Sequence, residues 1–363
     1  MNSICFLSQF PPPVHGLSKA VETLYESKLK TKYNFTKIDI TNNKSMLWTL
    51  WKLLITKADT IYFTISQTIG GNWRDLLFLK IIFLRKKKCI VHLHGGYYRT
   101  LVDKDMKPFQ HRLNENAMNK VDGAIVLGDS LHWIFERLVP DDKIYTVRNC
   151  MDDQFCINDI KTKVDNIVIQ DKIHVLYLSN FIASKGYPIV LEVANLIIKR
   201  GKSDKFVFHF AGKFLDQYPT EEQKFHRFVA KNGLESFVIL HGPTYGREKV
   251  ELLEKCNVFM LPTTYPKEGQ PISILEAMGN GMAIVTTDHA GIPDIATTNN
   301  GFISHKNNIE INAIADYLEK CYNDREYLKT VSEKNYQTVM TEFTEKAYIN
   351  NMEKVFDGIC TND

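Results

Sequence analysis

The chain has 363 residues, of which 44% are hydrophobic and 24% charged, and its formal net charge is +3. This length allows two domains with a large core, and the composition is that of a globular protein rather than a disordered or fibrous chain. The charge is uneven, because residues 1–165 carry 24 Lys/Arg against 17 Asp/Glu and residues 166–363 carry 21 against 25. A basic first half and an acidic second half favour different partners.

The seven cysteines are scattered, odd in number and never spaced C-x-x-C. This pattern predicts reduced thiols in a cytosolic protein, not a disulfide framework or a zinc site. The start, MNSICFLSQFPPP, lacks the basic region and long apolar core of a signal peptide and is interpreted as a first strand.

The most apolar segment, LLFLKIIFLRKKK at 76–88, is too short to span a membrane and contains Lys80. Two interpretations stay open for it. It fits a buried helix that ends in basic residues, and it also fits an interfacial helix on an anionic bilayer. The tryptophan- and lysine-containing segment MLWTLWKLLITK at 46–57 favours the second interpretation.

Short apolar runs alternate with helical patterns along the chain. In the first half we predict strands at 3–8, 60–65, 88–94, 124–128 and 143–149, and helices at 17–30, at 72–84 and after 128. A polar stretch at 152–171 is predicted to connect to a second unit. In that unit we predict strands at 172–180, 206–213, 237–242, 257–263 and 282–288, and helices at 187–200, 220–232, 246–255, 271–279 and 325–358.

This alternation predicts an α/β fold with two doubly wound, Rossmann-like domains built on parallel sheets. The predicted domains are residues 1–165 and 166–339, and a C-terminal helix at about 340–360 is long enough to pack back on the first. Ligands of open parallel sheets bind beyond the carboxyl ends of the strands. Two such domains facing each other would therefore enclose a cleft.

The stretch KEGQPISILEAMGNGM carries two carboxylates at a strand–helix junction. Pro271 suits the first helical position, and the free N–H groups of Ile272 and Ser273 form an anion site. Glu276 shares their face of the helix, and its carboxylate suits a ribose diol. Glu268, in the preceding loop, would point into the same cleft from the other side of a bound phosphate. The alternative is that Glu268 only stabilises the helix N-terminus.

The words EGQPISILE and AMGNGMAIVTTDHAGIPDI resemble the E-x7-E signature and its sequel in the retaining glycosyltransferases of family 4. The segments LYLSNFIASKGYPIVLEVA, FHFAGK, HGPTYGREKVELLEKCNVFMLPT and SQFPPPVHGLSKAVETL match that family in order and spacing, so the resemblance covers nearly the whole chain. It implies the GT-B fold, in which two Rossmann-like domains face each other across a cleft. It also implies front-side transfer of a sugar from a nucleotide donor, with no metal or other cofactor required.

The resemblance further implies roles for single residues. Glu268 would contact hydroxyls of the donor sugar, and Glu276 would bind the nucleotide ribose. Backbone N–H groups around Gly269, Gln270 and Ile272 would hold the sugar and the diphosphate.

The resemblance also implies that two residues bind the diphosphate, and the chain departs from the family beside each of them. Lys185, in ASKG, would neutralise it, and Gly16 would let the backbone approach it. Where the family often has Gly-Arg this chain has Ser179-Asn180, so the phosphate-binding position at Asn180 lacks a cation and Lys185 or Lys213 would carry that load. Where the family often has a glycine pair this chain has His15-Gly16, which leaves the shape of the loop open.

The segment CIVHLHGGYY carries His92 and His94 on one face of a strand. This spacing also suits metal ligands, but no nearby Asp, Glu or Cys completes a set, and we predict no metal site. His92 fits a core histidine with a backbone partner. His94 lies at the end of the strand, and the resemblance implies that a histidine in this region contacts the donor sugar near the reacting carbon. Asp103 and Asp105 spell a DxD pattern in a lysine-rich loop and are interpreted as solvated charge.

The prediction is a retaining hexosyltransferase that moves a hexose or N-acetylhexosamine, with a UDP-sugar favoured, to a hydroxyl of a glycan acceptor. A lipid-linked acceptor in bacterial surface-polysaccharide assembly (capsule or O-antigen) is the expected setting. The expected location is the cytoplasm or, through the basic first half, the inner membrane face. No nucleic-acid partner is expected. A GT-B epimerase or hydrolase and a non-catalytic nucleotide-sugar-binding protein stay open as alternatives. A dehydrogenase is disfavoured, since no strand is followed by G-x-G-x-x-G.

Overall fold

A computed structural model of the chain describes residues 2–12, 16–42 and 46–360. The chain divides into two compact units. The first unit is Met1–Cys150 with Lys267–Gln270 and Glu345–Asp363, and the second is Met151–Pro266 with Pro271–Thr344.

The first unit is built on a parallel sheet. Among its described residues the strands are β1 (Ser3–Ser8), β2 (Asn34–Asp39), β3 (Thr60–Thr64), β4 (Lys88–His92), β5 (Gly123–Val126) and β6 (Ile144–Thr146). They are hydrogen-bonded in the order β2-β1-β3-β4-β5-β6. Central strands such as β3, TIYFT, are buried at every residue, because parallel strands are covered on both faces by helices. The helices are α1 (Gly16–Tyr25), α2 (Met46–Ile55), α3 (Ile69–Leu84), α4 (Tyr98–Thr100) and α5 (Pro108–Met118).

The second unit, whose residues are all described, contains another parallel sheet. Its strands are β7 (Ile173–Leu178), β8 (Phe206–Ala211), β9 (Val238–Gly242), β10 (Val258–Leu261), β11 (Ala283–Thr287) and β12 (Gly301–Ser304). Their order is β12-β11-β10-β7-β8-β9. The helices are α6 (Ile160–Ile169), α7 (Tyr187–Lys199), α8 (Glu221–Asn232), α9 (Gly246–Lys255), α10 (Ile272–Gly279), α11 (Ile311–Asn323) and α12 (Arg325–Glu342).

The last helix, α13 (Glu345–Cys360), belongs to the first unit. Its apolar face carries Met352 and Phe356 into the core that contains Ile4 and Phe6 of β1. The ring centroids of Phe6 and Phe356 are 6.5 Å apart in an edge-to-face arrangement. Sequence reasoning predicts one helical stretch at 325–358, whereas the structure ends α12 at Glu342 and begins α13 at Glu345.

Several elements that the sequence analysis missed have weak apolar patterns, whereas α11 was missed although its buried Ile314, Leu318 and Cys321 recur at helical spacing. The edge strand β2 is exposed at most of its residues, and β12 has only four residues. Helix α5 is polar even on its buried face, where Gln110 donates to Asn72 of α3 at 2.8 Å and Asn72 donates to Asn114 at 2.8 Å. Residues 129–134, predicted as a helix after the strand, form a short 3-10 turn. In α5, the network of buried amide side chains leaves no hydrophobic periodicity for sequence analysis to detect.

The division between the units differs from the predicted boundary at 165. The second unit begins at Met151, because Met151 and Ile167 of α6 pack in its core. The polar stretch 152–171, interpreted as a connection and the entry to the second unit, belongs to that unit from its first residue and contains α6. No helix in the described part of the chain has both the length and the apolarity required to cross a bilayer.

Candidate active site

The second sheet reverses its strand order between β10 and β7, and the loops that follow these two strands meet there. Thr264 N donates to the Ser184 carbonyl at 2.7 Å. Gly186 has a φ of +92°, and a β-carbon there would lie 2.4 Å from the carbonyl oxygen of Pro262. Only glycine fits this position. Such a switch point at the carboxyl ends of parallel strands is where open α/β sheets bind ligands.

Lys185 is held at this switch point. It ends the 3-10 turn that follows β7, and its ammonium lies 4.7 Å from the centre of the Tyr265 ring. Tyr265 is fixed in turn, since its N–H donates to Thr263 Oγ1 at 3.1 Å and its carbonyl is 2.8 Å from His289 Nε2. A cation before the N-terminus of α7, which has no side-chain cap, gives this corner a positive potential suited to phosphate.

The neighbouring loop after β8 brings a second cation near Asn180. Phe181 N donates to the Lys213 carbonyl at 3.0 Å. Gly212, at φ +150°, approaches so closely that a β-carbon would lie 1.9 Å from the Ser179 carbonyl oxygen. Asn180 and Lys213 are both exposed. Lys213 is therefore placed beside the position at which the sequence lacks a cation.

Helix α10 begins at Ile272, with Pro271 as its N-cap and no side-chain cap for the first turn. Sequence reasoning placed Pro271 one position later, at the first helical residue. Ile272 and Ser273 are half-buried, whereas the helix from Ile274 onward is buried. The uncapped N–H groups of this turn remain suited to bind an anion.

Glu276 has a protein partner that sequence reasoning missed. Its Oε1 lies 2.6 Å from Nζ of Lys249, and the two side chains are 6% and 16% exposed. Burial raises the pKa of Glu276, the Lys249 ammonium opposes that rise, and Asp152 adds to it. The Lys249 ammonium also lies 3.9 Å from the centre of the Phe155 ring. The expected ribose diol is thus not needed to explain a carboxylate on this helix.

One signal in the sequence points to Lys249. It lies three and four residues before Leu252 and Leu253, the buried residues of α9. It is therefore on the inward face of an amphipathic helix. A lysine at such a position requires a partner for its charge.

His92 and His94 lie together at the end of β4, with ring centroids 4.0 Å apart. His92 Nδ1 is 2.7 Å from the Tyr62 hydroxyl, so its partner is a side chain rather than the predicted backbone group. Burial, with a smaller contribution from His94, holds the pKa of His92 well below its ordinary value. His92 is therefore a neutral core residue, and His94, half-buried, lies nearer the surface. Among the described residues no three His, Cys, Asp or Glu side chains form a group that could hold a metal.

The segment Lys267–Gln270, flanked on both sides by residues of the second unit, is part of the first. Gln270 anchors it, because Nε2 donates to the Leu127 carbonyl at 2.9 Å and Oε1 accepts from Asn149 N at 2.7 Å. The Gln270 carbonyl accepts from Asn149 Nδ2 at 3.0 Å. Leu127 follows β5 and Asn149 follows β6, so the segment crosses the carboxyl ends of these strands.

Gly269 brings this segment against the end of β4. A β-carbon at Gly269 would lie 2.8 Å from the His94 carbonyl oxygen and 3.0 Å from Gly95 Cα. Both are backbone atoms, so the approach requires glycine. Glu268, adjacent in sequence, is buried. The structure thus brings two separately predicted residues, His94 and Glu268, into one region of the first unit.

The remaining predicted residues have simpler surroundings. Gly16 is the first residue of α1 and is exposed, whereas residues 13–15, which include His15, lie outside the described residues. Asp103 and Asp105 are exposed, and each has a partner. Asp103 Oδ2 accepts from Arg99 at 2.7 Å, and Asp105 Oδ2 accepts from the Tyr97 hydroxyl at 3.0 Å.

Solved structures establish the fold class. HepE of Anabaena in complex with UDP superposes with a TM-score of 0.78 at 16% identity, over 99% of this chain and 100% of that chain. At this identity the likeness concerns the fold alone. The architecture, two parallel sheets surrounded by helices, is that of GT-B glycosyltransferases.

Sequence relatives agree with this fold. The chain is 24% identical to the poly(ribitol-phosphate) alpha-N-acetylglucosaminyltransferase of Staphylococcus aureus, over 73% of this chain and 50% of that protein. It is also 24% identical to the amylovoran biosynthesis glycosyltransferase AmsK of Erwinia amylovora, over 37% of this chain and 33% of that protein. The chain thus spans half or less of the length of these relatives. Residues 159–338 match the model of the family Glycosyl transferases group 1. That part of the chain is therefore a Glycosyl transferases group 1 domain, a domain of transferase enzymes.

Proposed function

We propose that the protein is a retaining glycosyltransferase of family 4 that moves a hexose or N-acetylhexosamine from a UDP-sugar to a hydroxyl of a glycan acceptor. The observation that carries the proposal is the switch point between β7 and β10 within a Glycosyl transferases group 1 domain. Lys185 and the uncapped first turn of α10 both follow strands that end there. The UDP bound by HepE supports the choice of nucleotide.

In this proposal the second unit binds the donor nucleotide. The Lys185 ammonium and the N–H groups of Ile272 and Ser273 neutralise the diphosphate as it departs. Lys213 takes the part of the cation missing at Asn180. Glu276 accepts a hydrogen bond from a ribose hydroxyl while Lys249 holds its Oε1, so the ion pair fixes the carboxylate before the donor arrives.

The first unit carries the acceptor-side groups. Glu268 contacts hydroxyls of the donor sugar, and His94 lies near its reacting carbon. The acceptor oxygen attacks that carbon on the face from which the diphosphate leaves. The carbon–oxygen bond to the diphosphate breaks, and the acceptor proton passes to the departing phosphate oxygen. This front-side course keeps the anomeric configuration and uses no protein nucleophile, metal or other cofactor.

The name of one relative, an amylovoran biosynthesis glycosyltransferase, supports a setting in bacterial polysaccharide biosynthesis. We propose that the product is a surface polysaccharide, capsule or O-antigen. We propose a lipid-linked glycan as acceptor, at the cytoplasmic face of the membrane. The basic first half of the chain suits an anionic surface of this kind.

The decisive experiment combines binding and transfer. A thermal-shift panel of UDP-, GDP- and ADP-sugars identifies the donor, because a ligand that binds the folded state raises the unfolding temperature. Transfer from that donor to lipid-linked acceptors is then assayed with and without EDTA, and no loss with EDTA is expected. Full turnover of the donor in the absence of acceptor would instead indicate an epimerase or a hydrolase.

Glu268→Gln tests the site. The substitution keeps the shape of the side chain and removes its charge, so we expect transfer to fall by about 100-fold, the order of one lost transition-state contact. Glu222→Gln, at an exposed residue of α8, is the matched control. Full transfer activity in Glu268→Gln, with an unchanged unfolding temperature, would refute the assignment of this residue.

A further inference from the structure

Three helices of the first unit lie side by side on one face of its sheet. The chain moves across the sheet in one direction from β1 to β2 and in the other from β2 to β5. Right-handed crossovers then put α1 on one face and α2, α3 and α5 on the opposite face. Helix α3 packs against both α2 and α5. The outward sides of these three helices therefore form one surface.

This surface exposes large apolar side chains. On α2 the exposed residues include Trp48 and Trp51, whose rings stack with centroids 4.4 Å apart. On α3 they include Trp73, Leu77 and Leu84, which share one helical face at spacings of four and seven residues. The opposite face of each helix packs in the core, so these exposed side chains do not contribute to the packing of the unit.

Helix α5 extends the surface. Its Phe109 and Leu113, four residues apart, are both exposed. The rings of Phe109 and Trp73 have centroids 6.3 Å apart, so α3 and α5 are joined by aromatic contact at the surface. We call the exposed apolar side chains of α2, α3 and α5 the apolar face. Contiguous apolar surface of this kind marks an interaction site.

The charges around the apolar face have one sign on α2 and α3. Segment 46–57 contains no acidic residue, and Asp75, the acidic residue of segment 69–88, is buried and paired with Arg74 at 2.8 Å. Lys57 and Lys80 are exposed, and α3 is followed directly by four cations. The surface therefore combines tryptophan and leucine with cations and exposes no carboxylate on these two helices.

We propose that the apolar face docks on an anionic phospholipid bilayer, with α2 and α3 lying in the plane of the headgroups. Tryptophan is favoured at this depth, because its ring is apolar and its N–H reaches polar groups. Lysine stems lie along the apolar surface while their ammonium groups meet lipid phosphates. The charge argues against a second copy as the occupant, since a two-fold pairing would bring the cations of one copy toward those of the other.

This proposal rests on the proposed function, because a lipid-linked acceptor would explain why the protein binds a bilayer. Its test does not need that function. Flotation of the full chain with phosphatidylcholine vesicles, with and without phosphatidylglycerol, requires neither donor nor acceptor. We expect binding to the anionic vesicles, weakened by salt, and little binding to the neutral ones. Equal binding to both, or no binding to either, would overturn the proposal and leave the transfer assay unaffected.

Paired variants locate the surface. Lys57→Glu/Lys80→Glu should weaken binding to anionic vesicles by more than about 30-fold, since each lysine near an anionic surface contributes roughly a factor of five. Leu47→Ser/Leu84→Ser changes two side chains that are 84% and 73% exposed, so folding should persist while binding drops by at least about tenfold. The matched controls are Lys231→Glu/Lys306→Glu and Ile169→Ser, at exposed residues of the second unit. Equal loss in the controls would contradict the assignment.

Tryptophan fluorescence gives an independent readout. Three of the four tryptophans lie in the apolar face, and Trp133→Phe removes the fourth. Brominated lipids should quench the fluorescence of this variant on binding. Vesicle binding without quenching would show that another surface docks. Light scattering of the chain without lipid completes the test, because it measures the molar mass and so detects a dimer. A dimer that Leu47→Ser/Leu84→Ser dissociates would show that a second copy, not a bilayer, covers the apolar face.

Discussion

Glu276 shows how a single buried carboxylate is accommodated. Its helix is apolar and buried from Ile274 onward apart from this residue, and an unpaired charge there would be strongly unfavourable. Lys249 Nζ at 2.6 Å provides the counter-charge from α9 of the same unit. Nothing local to α10 encodes this partner, because the two residues are brought together by the packing of separate helices.

Removal of Lys249 should destabilise the second unit. We expect Lys249→Met to lower its free energy of unfolding by about 3 kcal/mol, the low end for a broken buried ion pair, since Glu276 can take up a proton. The double variant Lys249→Met/Glu276→Gln should recover most of this loss, because no buried charge remains. Urea denaturation followed by circular dichroism measures both. Equal losses in the single and double variants would show that the pair does not stabilise the fold.

Gly269 is required by close backbone approach. Gly269→Ala should push the segment Lys267–Gln270 away from His94, because the three nearest atoms to the new β-carbon are all backbone atoms. A displacement of about 1 Å lowers catalytic rates by roughly 100-fold, and the transfer assay measures this loss. Gly358→Ala is the matched control, since a β-carbon at this exposed residue of α13 has no atom within 4 Å. Similar activity in both variants would contradict a role for the segment.

At the scale of elements, three histidines link the strands of the second sheet. His174 of β7 lies 2.9 Å from His209 of β8, nitrogen to nitrogen, and His209 lies 2.9 Å from His241 of β9. Burial is the main cause that lowers the pKa of His174 to about 4 and that of His209 to about 3, and Lys255 adds to both shifts. The chain of rings is therefore neutral at physiological pH.

These histidines should make stability depend on pH. Their pKa values are lower in the folded than in the unfolded state, so the unfolded state binds more protons below about pH 6.5 and stability falls as the pH falls. The loss should continue toward pH 4, at up to about 1.4 kcal/mol per pH unit for the buried His209. Solvent screening reduces the contributions of the more exposed His174 and His241. Unfolding temperatures measured between pH 7 and 4.5 check this. His209→Gln should reduce the slope, and an unchanged slope would assign it to other groups.

The elements also mark the limit of prediction from sequence. Buried strands such as β3 and β10 are continuous apolar runs, and the sequence predicts them. The edge strand β2 and helix α5 were missed, because one is mostly exposed and the other buries amides. For the candidate site, Lys185 was indicated by the resemblance of one short segment, ASKG, to the family, and its role stays a prediction. Lys249 was missed because its partner lies in another helix.

At the scale of the whole molecule, the chain does not follow its two units in sequence order. It leaves the first unit at Cys150, returns briefly at Lys267–Gln270 and ends in it with α13. The two cores are separate sets of residues. Trp48, Trp51, Trp73 and Trp133 all belong to the first unit, so tryptophan fluorescence reports on that unit alone.

This arrangement predicts which core each substitution affects. Phe356→Ala removes a buried ring of α13 and should destabilise the first unit by about 3 to 5 kcal/mol, which shifts the fluorescence transition in urea. Leu318→Ala, in the core of the second unit, is the matched control. It should shift the transition seen by circular dichroism and leave the fluorescence midpoint unchanged. Equal shifts of both signals in both variants would show that the units unfold together.

The sequence by itself determined the class of the fold and the place of the uncapped first turn of α10. Buried parallel strands must be apolar, and a helix that starts after a strand must leave its first N–H groups open. Both features can therefore be predicted from short segments of the sequence. Only the tertiary structure decided that Glu276 meets Lys249 and that Gly269 lies against His94. These contacts join residues far apart in the chain. Which residues meet depends on packing and charge in three dimensions, and local hydrophobic periodicity does not indicate it.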